Sequence, residues 1–276
     1  MDSYIKISIR LKEESQSAIL IALLSDCGFD GFEEKPHFLD AFIKKENYPE
    51  DEVASIISSN SLDYTKIIIE PENWNMEWEK NFDPVNVEDF CAIRASFHAP
   101  IKDTKHEIII TPKMSFGTGH HATTWLMIKT MSQLDLKGKK ILDFGTGTGV
   151  LAILAEKCGA GSILAIDNDS WSVQNAAENI ENNHCSKISL EKSDSINHTS
   201  KFDVVLANIN KRVILQNFVN FQQHLLAEGV LIVSGFLESD LQQIENDCIL
   251  NHFSIDCLME KDSWGCLVLK HSQDHL

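Results

Sequence analysis

Hydrophobic and polar positions in the first seventy residues follow strand and helix periods in turn. Apolar residues alternate with polar ones in Tyr4–Leu11, whereas Glu14–Cys27 carries them at helical spacing and ends before Gly28. The pattern predicts further strands and one more helix, at Phe29–Glu34, Phe38–Lys44, Tyr64–Glu70 and, for the helix, Asp51–Ser59. The order strand, helix, strand, strand, helix, strand predicts a small ferredoxin-like α+β domain.

From Lys139 onward, strand and helix patterns alternate regularly, which predicts a parallel, doubly wound α/β sheet. Five strands are predicted, at Lys140–Phe144, Ser162–Asp167, Ile188–Glu191, Asp203–Ala207 and Val230–Ser234. Four helices are predicted to alternate with them, at Val150–Cys158, Ser170–Asn183, Lys211–His224 and Glu238–Asn246. The chain then ends in a hairpin of Phe253–Met259 and Gly265–Lys270, so the last of seven strands should run antiparallel to the others.

The region between these two patterned parts predicts the domain boundaries. Residues 72–80 are polar and contain Trp74 and Trp78, which would either line a substrate groove or cap a seam between domains. Phe82–Phe97 and Glu107–Thr111 have the pattern of short strands. We therefore predict three regions: a small domain over 1–71, a linker with short strands over 72–97, and a larger domain over 98–276.

A glycine-rich loop, Asp143–Gly149 (DFGTGTG), joins the first strand of the larger sheet to the next helix. Glycines at such a turn let backbone N–H groups approach a ligand closely. A dinucleotide-binding loop has the spacing G-x-G-x-x-G, which would need a glycine in place of Val150, so an NAD-dependent dehydrogenase is disfavoured. Asp143 instead suits a ligand with a cationic sulfonium and an amino group, because a carboxylate would repel a pyrophosphate.

Polar residues also end two other strands of this sheet. Asp167 stands 22 residues after Gly145, where a carboxylate can accept hydrogen bonds from both ribose hydroxyls of an adenosine. Asp169 is predicted as the N-cap of the following helix, and Asp194 as either an adenine contact or a loop acid. Asn208 follows the fourth strand, where its amide could orient a substrate amine or hold the cofactor.

Composition limits the partners and the compartment. Lys and Arg number 24 against 41 Asp and Glu, giving a net charge of −17 that disfavours nucleic acid and favours a basic protein partner, or simply keeps the chain soluble. The seven cysteines form no C-x-x-C pair, and no cysteine or paired carboxylate motif accompanies His120 and His121, so no metal site is expected. No signal-peptide pattern or long apolar segment occurs, which predicts a cytoplasmic protein without a membrane partner.

A second glycine-rich segment, Phe116–Thr124 (FGTGHHATT), precedes the first strand of the larger sheet. The succession F-G-T-G-x-H-x-T-T, D-x-G-x-G-x-G and A-N-I, the last at Ala207–Ile209, resembles the ribosomal protein L11 methyltransferases of the PrmA type. A W-x-x-x-F-x-P pattern from Trp78 to Pro84 and the small first domain extend the resemblance over the whole chain. The parallel sheet with its terminal hairpin likewise resembles class I methyltransferases.

The resemblance implies a seven-stranded, Rossmann-like class I methyltransferase domain that uses S-adenosylmethionine, preceded by a ferredoxin-like domain that recognises the substrate. It implies methyl transfer to lysine side chains and the N-terminal amine of L11, the basic large-subunit protein at the base of the ribosomal stalk. At matching positions, the residues implied to contact or close over the cofactor are Thr124, Gly145, Asp167, Asn208, Phe116, Gly117, Thr118 and Gly119. The chemistry of the glycine-rich loop adds Asp143 and Gly147, and Asn208 is also the candidate for orienting the amine.

The chain departs from the family pattern beside this segment, with His120 where threonine is usual and Ala122 where proline is usual. His121 is a candidate for a structural role, for the cover over the cofactor, or for a base. Two alternative functions remain open: a methyltransferase of another protein or of a small amine, and a protein that binds S-adenosylmethionine without catalysis.

Overall fold

The computed structural model describes residues 3–13, 15–69, 82–112, 117–196 and 199–272. The chain divides into two compact units, residues 1–81 and 82–276. Residues 72–80 of the predicted linker, with Trp74 and Trp78, lie outside the described residues. No helix of the described ranges is both long and apolar enough to cross a membrane.

The first unit is a four-stranded antiparallel sheet with two helices. Its elements are β1 (Tyr4–Arg10), α1 (Gln16–Asp26), β2 (Gly31–Lys35), β3 (Phe38–Lys44), α2 (Glu50–Ser59) and β4 (Asp63–Ile69). The strand order is β2-β3-β1-β4, with every neighbouring pair antiparallel. Alternate residues of β1, beginning at Ile5, are buried with residues of both helices such as Leu24 and Val53. These observations confirm the ferredoxin-like prediction.

The second unit begins with a small three-stranded sheet and a helix. These are β5 (Val85–Val87), β6 (Cys91–Ala95), β7 (His106–Ile110) and α3 (Ala122–Met131). The strand order is β5-β6-β7, with β6 and β7 parallel. The short strands of residues 82–97 therefore belong to the larger of the two compact units.

The main sheet of the second unit has seven strands. They are β8 (Lys140–Phe144), β9 (Ser162–Asp167), β10 (Ile188–Lys192), β11 (Phe202–Asn208), β12 (Leu225–Leu237), β13 (Phe253–Lys261) and β14 (Trp264–His271). The helices between them are α4 (Val150–Lys157), α5 (Ser170–Asn182), α6 (Lys211–His224) and α7 (Leu241–Leu250). The strand order is β10-β9-β8-β11-β12-β14-β13, and β14 runs antiparallel to both of its neighbours, as the terminal hairpin predicted.

This order reverses direction between β8 and β11, which are parallel neighbours at the middle of the sheet. β8 continues to β9 on one side, whereas β11 continues to β12 on the other. Ligands of open α/β sheets bind beyond the carboxyl ends of the strands at such a switch point. The loops that follow Phe144, Asp167 and Asn208 therefore define the place to search for a site.

Candidate cofactor-binding and catalytic site

The glycine-rich loop after β8 has a backbone that only glycine adopts readily. Gly145, Gly147 and Gly149 have φ angles of +77°, +55° and +82°. A Cβ atom at Gly145 would lie 2.4 Å from Cγ2 of Ile209, the residue that follows β11. The glycine spacing therefore lets the loops after β8 and β11 come into contact.

Most described N–H groups of this loop are bonded within the protein, contrary to the expectation that they face a ligand. The N–H groups of Gly145 and Thr146 both donate to the carbonyl of Ile166, and that of Gly149 donates to Thr146. The N–H of Gly147 donates to Oδ2 of Asp167 at 2.9 Å. The glycines therefore shape the loop by their conformation and small size.

Asp143 lies at the floor of this loop and is 1% exposed. Its Oδ2 accepts hydrogen bonds from Oγ1 of Thr146 at 2.6 Å and from the N–H of Ala152 at 3.2 Å. Its Oδ1 has no hydrogen-bond partner among the described residues. Burial, with a smaller effect of the Asp167 carboxylate, raises the pKa of Asp143 to about 7.

The buried, unpaired oxygen of Asp143 fits a ligand that carries an ammonium group, since a buried acceptor without a donor is costly. S-adenosylmethionine carries such a group, so Asp143 is the residue that would hold its amine. Asp167, at the end of β9, has an intermediate exposure that leaves room for further hydrogen bonds. Its carboxylate accepts from the N–H groups of Gly147 and Asp169, which fix its orientation beside the loop.

Thr124 and Asn208, each implied by the resemblance to contact the cofactor, lie together in the structure although 84 positions separate them. Asn208 ends β11, and its Nδ2 lies 3.4 Å from Oγ1 of Thr124 in the first turn of α3. Thr124 is buried and Asn208 is partly exposed. Because Nδ2 of Asn208 donates a hydrogen bond to Thr124, the side-chain amide is held in one orientation and its Oδ1 remains available to accept from another group.

The described part of the second glycine-rich segment lies against the first. Oγ1 of Thr148 donates to the carbonyl of Gly117 at 2.6 Å. Gly117 and Gly119 have φ angles of +96° and +94°, and a Cβ at Gly119 would lie 2.6 Å from Cδ1 of Ile93. Thr118 lies between them, whereas Phe116 lies outside the described residues.

The two adjacent histidines point to different partners. His121 is the N-cap of α3, where its side chain accepts from the N–H of Thr123, and its ring contacts the edge of Trp264. His120 contacts the backbone of Asp83 instead. Within the described residues no three His, Cys, Asp or Glu side chains are grouped so that they could hold a metal ion.

Two residues near the loops were missed by the sequence patterns. Thr148 was only one of the spacer residues between glycines, yet it links the two glycine-rich segments. Asn179 of α5 donates to the carbonyl of Thr148 at 2.8 Å and accepts from the N–H of Thr111 at 2.7 Å. A buried Asn in the middle of a helix was the available signal, since such a residue needs partners.

The strand order, the terminal antiparallel hairpin and the loop with its buried acid define a class I methyltransferase that uses S-adenosylmethionine. The residues that could hold this cofactor are Asp143, Gly145, Gly147, Asp167, Thr124 and Asn208, all of which meet at the switch point of the sheet or in the loops beside it.

Comparison with known proteins identifies the family. The family model described as ribosomal protein L11 methyltransferase (PrmA) matches residues 29–272. The chain therefore belongs to the ribosomal protein L11 methyltransferase family.

Individual relatives agree with this assignment over most of the chain. The ribosomal protein L11 methyltransferase of Bacteroides thetaiotaomicron is 35% identical over 262 residues, covering 92% of this chain and 94% of the relative. That of Chlorobaculum tepidum is 39% identical over 232 residues, covering 78% and 80%. The crystal structure of a ribosomal protein L11 methylase from Lactobacillus delbrueckii subsp. bulgaricus matches with a TM-score of 0.65 and 31% identity, covering 70% of this chain and 100% of that one.

Proposed function

We propose that this chain transfers methyl groups from S-adenosylmethionine to the lysine side-chain amines and the N-terminal amine of ribosomal protein L11. The observation that carries the substrate is the family match over residues 29–272, together with relatives named ribosomal protein L11 methyltransferase that align with more than 90% of the chain. The observation that favours amine chemistry is the oriented amide of Asn208 at the end of β11.

Bound S-adenosylmethionine would supply a methyl group on a cationic sulfur. The lone pair of a neutral amine attacks the methyl carbon in line with the C–S bond, and the electrons of that bond go to the departing sulfur. The protein's main contribution to such a reaction is alignment of the reactants. Asn208, held through Thr124, would accept a hydrogen bond from the amine and direct its lone pair. Because free lysine has a pKa of about 10.4, the amine must also lose a proton, which a poorly hydrated cleft favours.

The first unit is the candidate for recognition of the substrate. Residues 1–81 hold 17 of the 41 acidic residues but only 8 of the 24 Lys and Arg residues. This unit is therefore more negatively charged per residue than the rest of the chain, which favours a basic partner. The recognition role over residues 1–71 and the catalytic role over 98–276 are parts of this proposal.

The proposed partner is a basic ribosomal protein, either free or during ribosome assembly. Since ribosomal proteins are made and assembled in the cytoplasm, we place the reaction there. The excess of acidic residues opposes direct binding to a phosphate backbone, so the acceptor is the protein and not ribosomal RNA.

Transfer of radiolabelled methyl groups to purified L11 tests the proposal. We expect the wild-type chain to label L11, and Asn208→Ala to lower kcat by tenfold or more while S-adenosylhomocysteine binding changes less. Asn210→Ala is the matched control, because Asn210 lies two residues further on and only caps α6 through the N–H of Val213. It should lose about 1 kcal/mol of stability and keep its methyl-transfer rate.

The same assay separates the alternatives. If whole-cell protein is labelled in a band other than L11, or if only a small amine is methylated, the L11 assignment is wrong. Binding of S-adenosylhomocysteine without transfer to any acceptor would indicate a non-catalytic protein. Full activity of Asn208→Ala would remove Asn208 from the mechanism.

A further inference from the structure

His120 connects two parts of the second unit that are far apart in sequence. Its Nε2 lies 2.9 Å from the carbonyl oxygen of Asp83, and its Nδ1 lies 3.3 Å from Oγ1 of Thr118. A carbonyl oxygen can only accept, so Nε2 carries the proton. In the neutral imidazole Nδ1 is then the acceptor, and the hydroxyl of Thr118 donates to it.

The ring of His120 also packs at its edge against Phe82, with 4.6 Å between ring centroids. Phe82 is 6% exposed and belongs to the core of the second unit. His120 is itself exposed. Its contacts thus attach a surface loop to Phe82 and Asp83, which are the first two residues of that unit.

The same loop is attached at its other end to the cofactor site. The carbonyl of Gly117 accepts from Thr148, whose neighbours Gly147 and Gly149 belong to the glycine-rich loop. Gly119 is buried against Ile93 and has no space for a side chain. The loop Gly117–His120, hereafter the cover loop, is therefore held by Thr148 at one end and by His120 at the other.

We propose that His120 is a positioning residue that holds the cover loop against the glycine-rich loop, and so slows the escape of the bound cofactor. The proposal deepens the proposed function only in its use of S-adenosylmethionine, and it does not depend on the identity of the methyl acceptor. Phe82 and Asp83 are the first residues of the second unit, so His120 holds the cover loop to the beginning of that unit.

Calorimetry with S-adenosylhomocysteine on the full chain tests this role. His120→Ala removes both hydrogen bonds, and the loss of one or two such bonds predicts binding about fivefold to tenfold weaker. The higher dissociation constant should come from a faster dissociation rate, measured by stopped-flow displacement of the bound ligand. The KM for S-adenosylmethionine should rise similarly, whereas kcat at saturating cofactor should stay within about twofold, because His120 does not touch the reacting atoms.

Two conservative variants assign the effect to the Asp83 bond. In His120→Gln the amide nitrogen reaches about as far as Nε2 and can still donate to the carbonyl of Asp83. In His120→Asn the shorter side chain reaches only as far as Nδ1, so it can contact Thr118 but not Asp83. We expect near wild-type affinity for the glutamine variant and a loss similar to that of alanine for the asparagine variant.

His98→Ala is the matched control. His98 stacks on Phe82 with 6.2 Å between ring centroids, and its Nδ1 accepts from the N–H of Ala95, so it shares the aromatic contact but has no bond to the cover loop. Its cofactor affinity should be unchanged. The proposal fails if His120→Ala binds S-adenosylhomocysteine like wild type, or if His98→Ala weakens binding equally. If His120→Ala weakens S-adenosylhomocysteine binding as expected but the wild-type chain does not methylate L11, only the substrate assignment is overturned.

Discussion

Gly145 lies where the loop after β8 contacts the loop after β11, and this contact leaves no space for a side chain. A methyl group there would meet Cγ2 of Ile209 at 2.4 Å, and the φ of +77° is already unfavourable for alanine. We expect Gly145→Ala to weaken S-adenosylhomocysteine binding by 100-fold or more, measured by calorimetry, because either the loop or Ile209 must move.

Gly138→Ala provides the matched control for this prediction. Gly138 has a similar φ of +73°, but a Cβ there would meet no atom within 4 Å. Its substitution should cost about 1 kcal/mol of stability and leave cofactor affinity unchanged. Equal loss of affinity in both variants would show that backbone strain, and not the contact with Ile209, limits binding.

Asp143 predicts a pH dependence of stability in the absence of ligand. Its pKa of about 7 in the folded protein exceeds the value of about 3.9 expected for the unfolded chain. At pH values between the two pKa values the folded state binds more protons than the unfolded state. The contribution of Asp143 to the free energy of unfolding is therefore complete below pH 4 and is lost as pH rises through 7. Relative to Asp143→Asn, the wild type should lose about 2.5 kcal/mol between about pH 5 and pH 8.

Urea unfolding of both proteins at the two pH values measures this difference. Because the asparagine variant shares every other titrating group, the subtraction removes the general effect of the charge of −17. A constant difference between the two proteins across this range would contradict a raised pKa. Binding of a cationic ligand beside Asp143 should reduce the pH dependence, since it favours the ionised carboxylate.

At the scale of elements, an ion pair holds the small sheet before the methyltransferase core. Arg94 of β6 is 6% exposed and forms a two-pronged pair with Glu107 of β7, at 2.8 and 3.0 Å. Its Nη1 donates to the carbonyls of Ala95 and His98. The Arg94 hydrogen bond lowers the pKa of Glu107. Arg94→Ala should therefore destabilise the protein by about 3–5 kcal/mol, measured by urea unfolding.

Lys270→Ala is the comparison for this pair. Lys270 and Asp256 form an ion pair at 2.9 Å on β14 and β13, but both side chains are about half exposed. Exposed pairs contribute little, so this substitution should change stability by less than about 1 kcal/mol. Similar losses in the two variants would mean that burial of Arg94 does not govern its effect.

Helix α3 shows what the periodicity could not predict. Seven of its ten residues are buried, including Thr123, Thr124 and Thr130, so it presents no clear polar face. A helix that is buried on most sides lacks the amphipathic repeat on which the sequence prediction relies. The first turn of this helix carries Thr124, whose partner at the site is Asn208.

The outer edge of β7 is another element that only the fold explains. Asn183 Oδ1 accepts from the N–H of Ile109, and its Nδ2 donates to the carbonyl of the same residue. Asn179 accepts from the N–H of Thr111 in the same manner. Asn179 of α5 and Asn183, the C-cap residue of that helix, thus replace a neighbouring strand, because unpaired backbone groups at a sheet edge need partners.

At the scale of the whole molecule, the net charge of −17 predicts a salt dependence of methyl transfer. An acidic enzyme and a basic acceptor attract each other over about a Debye length, so kcat/KM for L11 should fall severalfold between about 50 and 500 mM salt. Affinity for S-adenosylhomocysteine, which has no net charge, should change less than twofold over the same range. A kcat/KM that is independent of salt would exclude electrostatic steering.

The order of elements in the ferredoxin-like first domain and in the main sheet, and the class of cofactor, followed from the sequence alone. The reason is that these depend on local features: apolar periodicity, the spacing of Gly145, Gly147 and Gly149, and the terminal hairpin before Lys270. A short motif is read from neighbouring residues and needs no knowledge of the strand order.

The tertiary structure alone decided which residues meet. Thr124 reaches Asn208, and Thr148 reaches Gly117, because α3 and the cover loop lie beside strand ends that the crossovers of the sheet bring together. The unpaired oxygen of Asp143 and the link from His120 to Asp83 are likewise consequences of burial and long-range packing. Periodicity assigns residues to elements, but it cannot rank the many possible contacts between elements, which depend on how side chains pack.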